Sequence, residues 1–238
     1  MGETTVHQIE TPTSGRLVVR PPASAPAAGL FVGFHGYAES AETQLQRLAA
    51  VTELENWCLL SVQALNRFYR GRSEETVASW MTRQDRDVMI AVNIGYVDRA
   101  VDWVRKQFKL PVAKITKGDS PLTPAPALMY AGFSQGTAMA FRAAVRGRAA
   151  ATGVIAVGGD VPPELLSDPN ARFPATLLAR GARDDWYTQA KLDADVDALT
   201  ARGVRVTPYV FDGAHEWPSS MAPRIAEFVR SLTPSPGT

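Results

Sequence analysis

The stretch that most constrains this chain is Leu128-Met129-Tyr130-Ala131-Gly132-Phe133-Ser134-Gln135-Gly136-Thr137-Ala138-Met139-Ala140. An apolar run ends in Gly-x-Ser-x-Gly, and a helix-like segment follows with no linker. Such a strand–turn–helix lifts a serine hydroxyl onto a sharp, strained turn at the end of a strand. Glycines at 132 and 136 suit it, because a Cβ at either would collide with the neighbouring strand or helix as the chain reverses. The first N–H groups of the following helix point at the same spot and favour negative charge there. The pentapeptide alone is weak evidence, arising by chance in roughly one chain of this length in twelve. Its flanks and its partners elsewhere carry the inference.

Around this turn, apolar runs alternate with amphipathic segments. Leu30–Phe34, Trp57–Val62, Leu128–Phe133, Thr152–Val157 and Ala175–Leu178 read as buried strands, and Val204–Phe211 alternates as a strand does. Val6–Ile9 and Leu17–Arg20 are β-prone and predict an opening hairpin, giving eight strand candidates. A helix capped by Ser40 carries Leu45, Leu48, Ala49 and Leu54. The longest helical pattern runs from Gln84 to Phe108 on Met89, Val92, Tyr96, Val97, Ala100, Val101, Val104 and Phe108. Residues from Gln63 to about Ser79 read as irregular. Leu110 to Pro126 reads as a Pro-rich insertion loop, with a lid as the alternative, and the tail 233–238 reads as flexible. The alternation predicts one α/β domain over 1–238, a mostly parallel sheet covered by helices on both faces.

Composition narrows the partners. Formal net charge is +1, with no dense Lys/Arg run, so neither nucleic acid nor an anionic membrane surface is indicated. No apolar run has the length of a membrane span. The first residues lack a basic n-region and an apolar h-region, so a cytoplasmic protein is expected. The one cysteine, Cys58, sits in a buried-strand pattern and reads as a packed thiol. The histidines are far apart and Cys58 has no partner spacing, so no metal site is expected. The oligomeric state is left open, a homodimer included.

In sheets of this kind, sites form beyond the carboxyl ends of the strands. A serine hydroxyl needs a neighbouring base. Of the three histidines, His7 lies in the N-terminal strand region and His35 precedes the serine. His215 follows the last strand, and it alone fits the order serine, acid, histidine. The acid that orients it follows a strand end, leaving Asp160, Asp184, Asp185 and Asp212. Asp184 is preferred for its Gly-x-x-Asp spacing from Gly181, with Asp185 and Asp160 as alternatives; Asp212 reads as a turn residue. An oxyanion needs two N–H donors: the amide of Gln135, after the serine, and that of Tyr37, in the loop His35-Gly36-Tyr37.

Together, His35-Gly36, Gly132-Phe133-Ser134-Gln135-Gly136, Gly181-x-x-Asp184 and Gly213-Ala214-His215-Glu216-Trp217 resemble the phospholipase/carboxylesterase family of the α/β-hydrolase superfamily, which includes acyl-protein thioesterases and small bacterial carboxylesterases. The resemblance implies an α/β-hydrolase fold with an eight-stranded sheet, no cofactor, and hydrolysis of small-molecule carboxylic esters or thioesters. Two positions depart from the family's habit: Ala38 stands where a glycine often follows His-Gly by two, and Thr137 where a glycine often follows the elbow.

The expected chemistry is attack by Ser134, proton transfer through His215, orientation by Asp184, and an acyl-enzyme released by water. Phe68, Trp80, Met81, Trp186 and Trp217 follow strand ends and are candidates for an apolar acyl pocket, Trp80 and Trp186 foremost. The same constellation would serve an acyltransferase or a peptidase, and a non-catalytic binding protein on this fold is the alternative from another class.

Overall fold

The structure, a computed structural model, describes residues 3–110 and 127–233. Arg16–Arg20 (β1), Gly29–Phe34 (β2), Trp57–Gln63 (β3), Ala127–Phe133 (β6), Gly153–Val157 (β7), Ala175–Gly181 (β8) and Val206–Phe211 (β9) form one sheet in the order β1-β3-β2-β6-β7-β8-β9. Asn66–Tyr69 (β4) and Thr76–Ser79 (β5) form a separate antiparallel pair. In the main sheet only β1 runs antiparallel, against β3; every other pairing is parallel.

The helices are Ala41–Ala49 (α1), Arg86–Gln107 (α2), Gln135–Arg146 (α3), the short Pro163–Leu166 (α4), Gln189–Thr200 (α5) and Met221–Leu232 (α6). They cover the sheet on both sides, and the alternation within each strand explains why. Leu30, Val32, Phe34, Leu128 and Tyr130 face a core shared with α2, α3 and α5. Phe31, Leu59, Met129, Ala131 and Ile155 point the other way, against α1 and α6. Successive residues of a strand face opposite sides, so a strand between two helical layers must be apolar throughout. Cys58 belongs to the first core, and burial pushes its thiol up to about 11.

From β2 the chain crosses through α1 to β3 on one side; from β6 it crosses through α3 to β7 on the other. The crevice between the carboxyl ends of β2 and β6 is therefore the switch point at which sheets of this kind bind ligands.

Three expectations need correction. Among the described residues the sheet has seven strands, not eight. Val6–Ile9 forms no strand, and Val6 and Ile9 are 90% and 87% exposed. Only these two of the four residues are apolar, and His7 and Gln8 between them leave too little surface to bury against the sheet. The segment read as irregular holds β4 and β5, short strands whose charged residues, such as Arg67, obscure the pattern. On α2 the buried face near the N-terminus is Ile90 and Asn93, with Val92 exposed. Asn93 is held inward because its side chain donates to the Trp80 and Met89 carbonyls, both at 2.8 Å. Of the Pro-rich stretch only Leu110 is described; the rest, and all of the tail except Thr233, lie outside the described residues.

Candidate active site

The turn after β6 has the backbone its glycines predict. Ser134 takes φ 50° and ψ −118°, a region costly for a residue with a side chain. Its amide donates to the Val157 carbonyl at 2.9 Å, tying the elbow to β7. A Cβ at Gly132 would overlap the Gly136 carbonyl, and one at Gly136 would overlap the Phe34 carbonyl of β2. Both positions therefore require glycine for α3 to pack this close to the sheet. Thr137 takes the place of a common family glycine without disturbance, because its buried hydroxyl donates to the Gly132 carbonyl at 3.2 Å.

Three side chains from three strand ends meet here. His215 Nε2 lies 2.9 Å from Ser134 Oγ, and His215 Nδ1 lies 2.9 Å from Asp184 Oδ2. Asp184 is 2% exposed. Its other oxygen, Oδ1, accepts from the amides of Trp186 and Tyr187, both at 2.9 Å. The carboxylate is thus fully engaged and cannot rotate freely. With a proton on Nδ1 donated to Asp184, Nε2 is left to accept from the serine hydroxyl. Gly158, at φ 65°, passes the histidine closely; a Cβ there would sit 3.2 Å from His215 Cε1. The Phe133 ring covers the imidazole at 5.1 Å between centroids.

The other candidate aspartates stand outside this relay. Asp160 pairs with Lys191 at 3.3 Å, Asp212 pairs with Arg183, and Asp185 is exposed. His35 is buried beneath the β2 loop: Nδ1 donates to the Gly36 carbonyl at 2.7 Å and Nε2 accepts from the Ala64 amide at 3.1 Å. Burial pushes its pKa down, which suits that neutral form. His7 is exposed at the N-terminal end, bonded to Thr5.

The amides of Tyr37 and Gln135 donate no hydrogen bond among the described residues. Several side chains that sequence reasoning missed hold these amides in place. Glu39 Oε2 accepts from the Gly36 amide at 2.7 Å and grips Arg47 through both oxygens, at 2.6 and 2.7 Å. Burial opposes the charge on Glu39; Arg47 and the Gly36 amide outweigh it and hold the carboxyl below its ordinary range. The Gln135 side chain accepts from the Trp80 amide at 2.8 Å and donates to the Met81 carbonyl at 3.1 Å, bracing the elbow against the end of β5. Ala38 sits at φ 55°, the left-handed region where glycine is unstrained, in the position where the family often has one. The only sequence signal for this scaffold was Glu39 three residues past Gly36, within reach of its amide.

A cavity of about 300 Å³ opens beside Ser134 and His215. Met81 and Trp186 line it. Trp80 and Trp217 do not. Trp80 is fully buried, its Nε1 donating to the His35 carbonyl at 2.8 Å, and Trp217 packs against Arg47. Phe68 packs on Tyr37 instead, 5.5 Å between ring centroids. Beneath the wall, buried Asp195 accepts from the Val161 amide at 3.1 Å and the Tyr187 hydroxyl at 2.9 Å, clamping two lining segments together. Burial pushes its carboxyl up to about 6. Among the described residues no group of three or more His, Cys, Asp or Glu could hold a metal ion, and no helix is long and apolar enough to cross a membrane.

Against known proteins, residues 16–232 match the family described as Phospholipase/Carboxylesterase. No curated protein matches the chain by sequence. Among solved structures the chain is similar to esterase PE8, with a TM-score of 0.70 and 19% identity over 92% of this chain and all of that one. It is similar to acyl-protein thioesterase 2 of Zea mays, with a TM-score of 0.67 and 17% identity over 92% of this chain and 100% of that one. A carboxylesterase of Bacillus cereus gives 0.65 and 14% over 92% and 94%. At these identities the likeness is one of fold.

Proposed function

Because this chain belongs to the phospholipase/carboxylesterase family and is thereby an enzyme of carboxylesterase type, we propose that it hydrolyses small carboxylic esters or thioesters through an acyl-enzyme on Ser134, with His215 as base and Asp184 as its orienting acid. The observation that carries this reading is the unbroken relay of two 2.9 Å contacts, from Ser134 Oγ through the imidazole to Asp184. Ser134 Oγ attacks the carbonyl carbon while its proton passes to His215 Nε2. The carbonyl oxygen gains negative charge and takes the Tyr37 and Gln135 amides as donors. His215 then protonates the departing alkoxide or thiolate. Water repeats the sequence on the acyl-enzyme, with His215 now activating the water, and the free acid leaves. Throughout, Asp184 keeps the Nδ1–H tautomer and stabilises the imidazolium.

The cavity bounds the acyl group. At about 300 Å³ it lies at the small end of ligand pockets, so short acyl groups should fit best. A panel of 4-nitrophenyl esters of increasing acyl length, run beside an acyl thioester, tests the reading by release of the free acid. We expect kcat/KM to be highest at short chains and to fall as the chain outgrows the cavity. Absence of turnover on every member of the panel by folded protein would overturn the proposal. Acceleration by an added alcohol without free acid would make the enzyme a transferase.

A further inference from the structure

Helix α3 begins at the nucleophile, and Ser134, Ala138 and Arg142 recur every four residues along it, so they share one face. All three line the cavity. Arg142 is 1% exposed, which is costly for a charge unless it is paired. Its partner is Glu164, whose Oε1 accepts from Arg142 Nε and Nη2, both at 2.7 Å. The same carboxylate also serves Arg86, whose Nη2 lies 3.4 Å from Oε2. Among the described residues Arg142 Nη1 finds only the sulfur of Met81 at 3.4 Å, a weak acceptor that itself lines the cavity. A buried guanidinium two turns along the helix from the nucleophile thus keeps one nitrogen on a weak acceptor at the cavity wall.

The charges around the cavity are unevenly placed. Arg86, Arg142 and Lys191 line it, against Asp160 alone among lining carboxylates. Glu164 and Asp195 lie behind the wall and bring the tally to three positive charges and three negative, so the positive groups face the cavity and two of their counter-charges sit behind it. Asp87 lies 3.8 Å from Arg86 but is 97% exposed, so its attraction is screened by solvent. A site meant for a purely hydrocarbon acyl chain has no use for positive groups turned toward it.

We propose that the acyl group taken by this cavity carries its own carboxylate, so that the substrate is a half-ester of a short dicarboxylic acid held at its far end by Arg142 and Arg86. The inference rests on the esterase reading above. The leaving-group oxygen must face His215 Nε2 to be protonated, so the acyl chain runs the other way, over Ala138 toward Arg142. Eight residues of helix separate Ser134 from Arg142, about 12 Å along the axis, and the arginine side chain leans back toward the helix start and shortens the gap. A chain of a few carbons bridges what remains. Hydrolysis consumes one water: the acyl–oxygen bond breaks, the alcohol leaves with one hydrogen of the water, the acyl carbon keeps the hydroxyl, and the new acid ionises to the dicarboxylate with one proton released to solvent. Guanidinium suits the task because its fixed fork of donors matches a carboxylate.

The test compares kcat/KM for the 4-nitrophenyl half-esters of glutaric and adipic acid with that for neutral 4-nitrophenyl valerate. We expect the wild type to prefer a half-ester by about tenfold to a hundredfold, the range for hydrogen bonds to a charged group. Arg142→Gln and Arg86→Gln should each lower the ratio of half-ester to valerate activity. Arg86 is partly exposed, so its variant keeps the test open if Arg142→Gln does not fold. Valerate cleaved as well as or better than both half-esters would overturn this proposal and leave the esterase reading standing, as would a ratio unmoved in the folded variants. Failure of the wild type on all three esters would overturn the esterase reading itself.

Discussion

Replacing Ser134 by alanine should lower kcat by about six orders of magnitude while leaving the protein folded. The size of the loss follows from what the hydroxyl does. It forms the covalent intermediate, and nothing else near His215 Nε2 can take its place: Gln135 is committed to Ser79, Trp80 and Met81, and Thr137 to the Gly132 and Val157 carbonyls. The amide donors and the cavity remain, so turnover about 10³- to 10⁴-fold above that in water alone should survive. KM should change little, since the oxygen removed contributes to bond-making and not to holding the substrate. Folding is preserved because Ser134 adopts its strained backbone under the demands of Gly132, Gly136 and the β7 contact, none of which involves Oγ. Turnover measured on extensively purified variant protein checks this, and near-wild-type kcat would remove Ser134 from the reaction.

Changing Asp184 to asparagine should cost about four orders of magnitude in kcat, and the hydrogen bonds around the carboxylate say why. Its Oδ1 accepts from two backbone amides, so an asparagine can turn only one way, with its oxygen toward Trp186 and Tyr187. The amide nitrogen then takes the place of Oδ2 and presents N–H groups to His215 Nδ1. The imidazole must answer with a lone pair on Nδ1, which puts its proton on Nε2, the nitrogen that has to accept from Ser134. The base is then present in the wrong tautomer, and the stabilising negative charge is gone. An Asp185→Asn variant is the control: that side chain is exposed and outside the relay, and its activity should stay near wild type.

How much of this was legible beforehand varied with the kind of interaction. The elbow was readable because its demands are local: two glycines, a serine and an apolar strand within a few residues. The fold class followed from alternation, since strands between two helical layers must be apolar on both faces. Choosing Asp184 over its neighbour Asp185 relied on spacing from Gly181, and in the structure that single step separates a 2% exposed carboxylate from an exposed one. What escaped was long-range and polar. The Glu39–Arg47 grip on the β2 loop spans eight residues, the Gln135 brace reaches back to β5, and the Arg142–Glu164 pair joins two helices. Nothing in periodicity marks which arginine will be buried. Trp80 misled because a tryptophan after a strand end serves a pocket or a core equally well, and here its indole N–H found the His35 carbonyl inside. The N-terminal strand failed for want of apolar surface: Val6 and Ile9 are β-prone, but His7 and Gln8 between them give nothing to bury.

The account turns on Ser134 being the nucleophile that its contact with His215 suggests. The most direct measurement is to treat folded protein with a fluorophosphonate, which reacts with a serine made nucleophilic by a neighbouring base, and to map the modified peptide by mass spectrometry. One adduct per chain is expected, on Ser134, formed in step with loss of esterase activity. Folded protein that hydrolyses esters while Ser134 remains unmodified, or that is inactivated through an adduct on another residue, would contradict it.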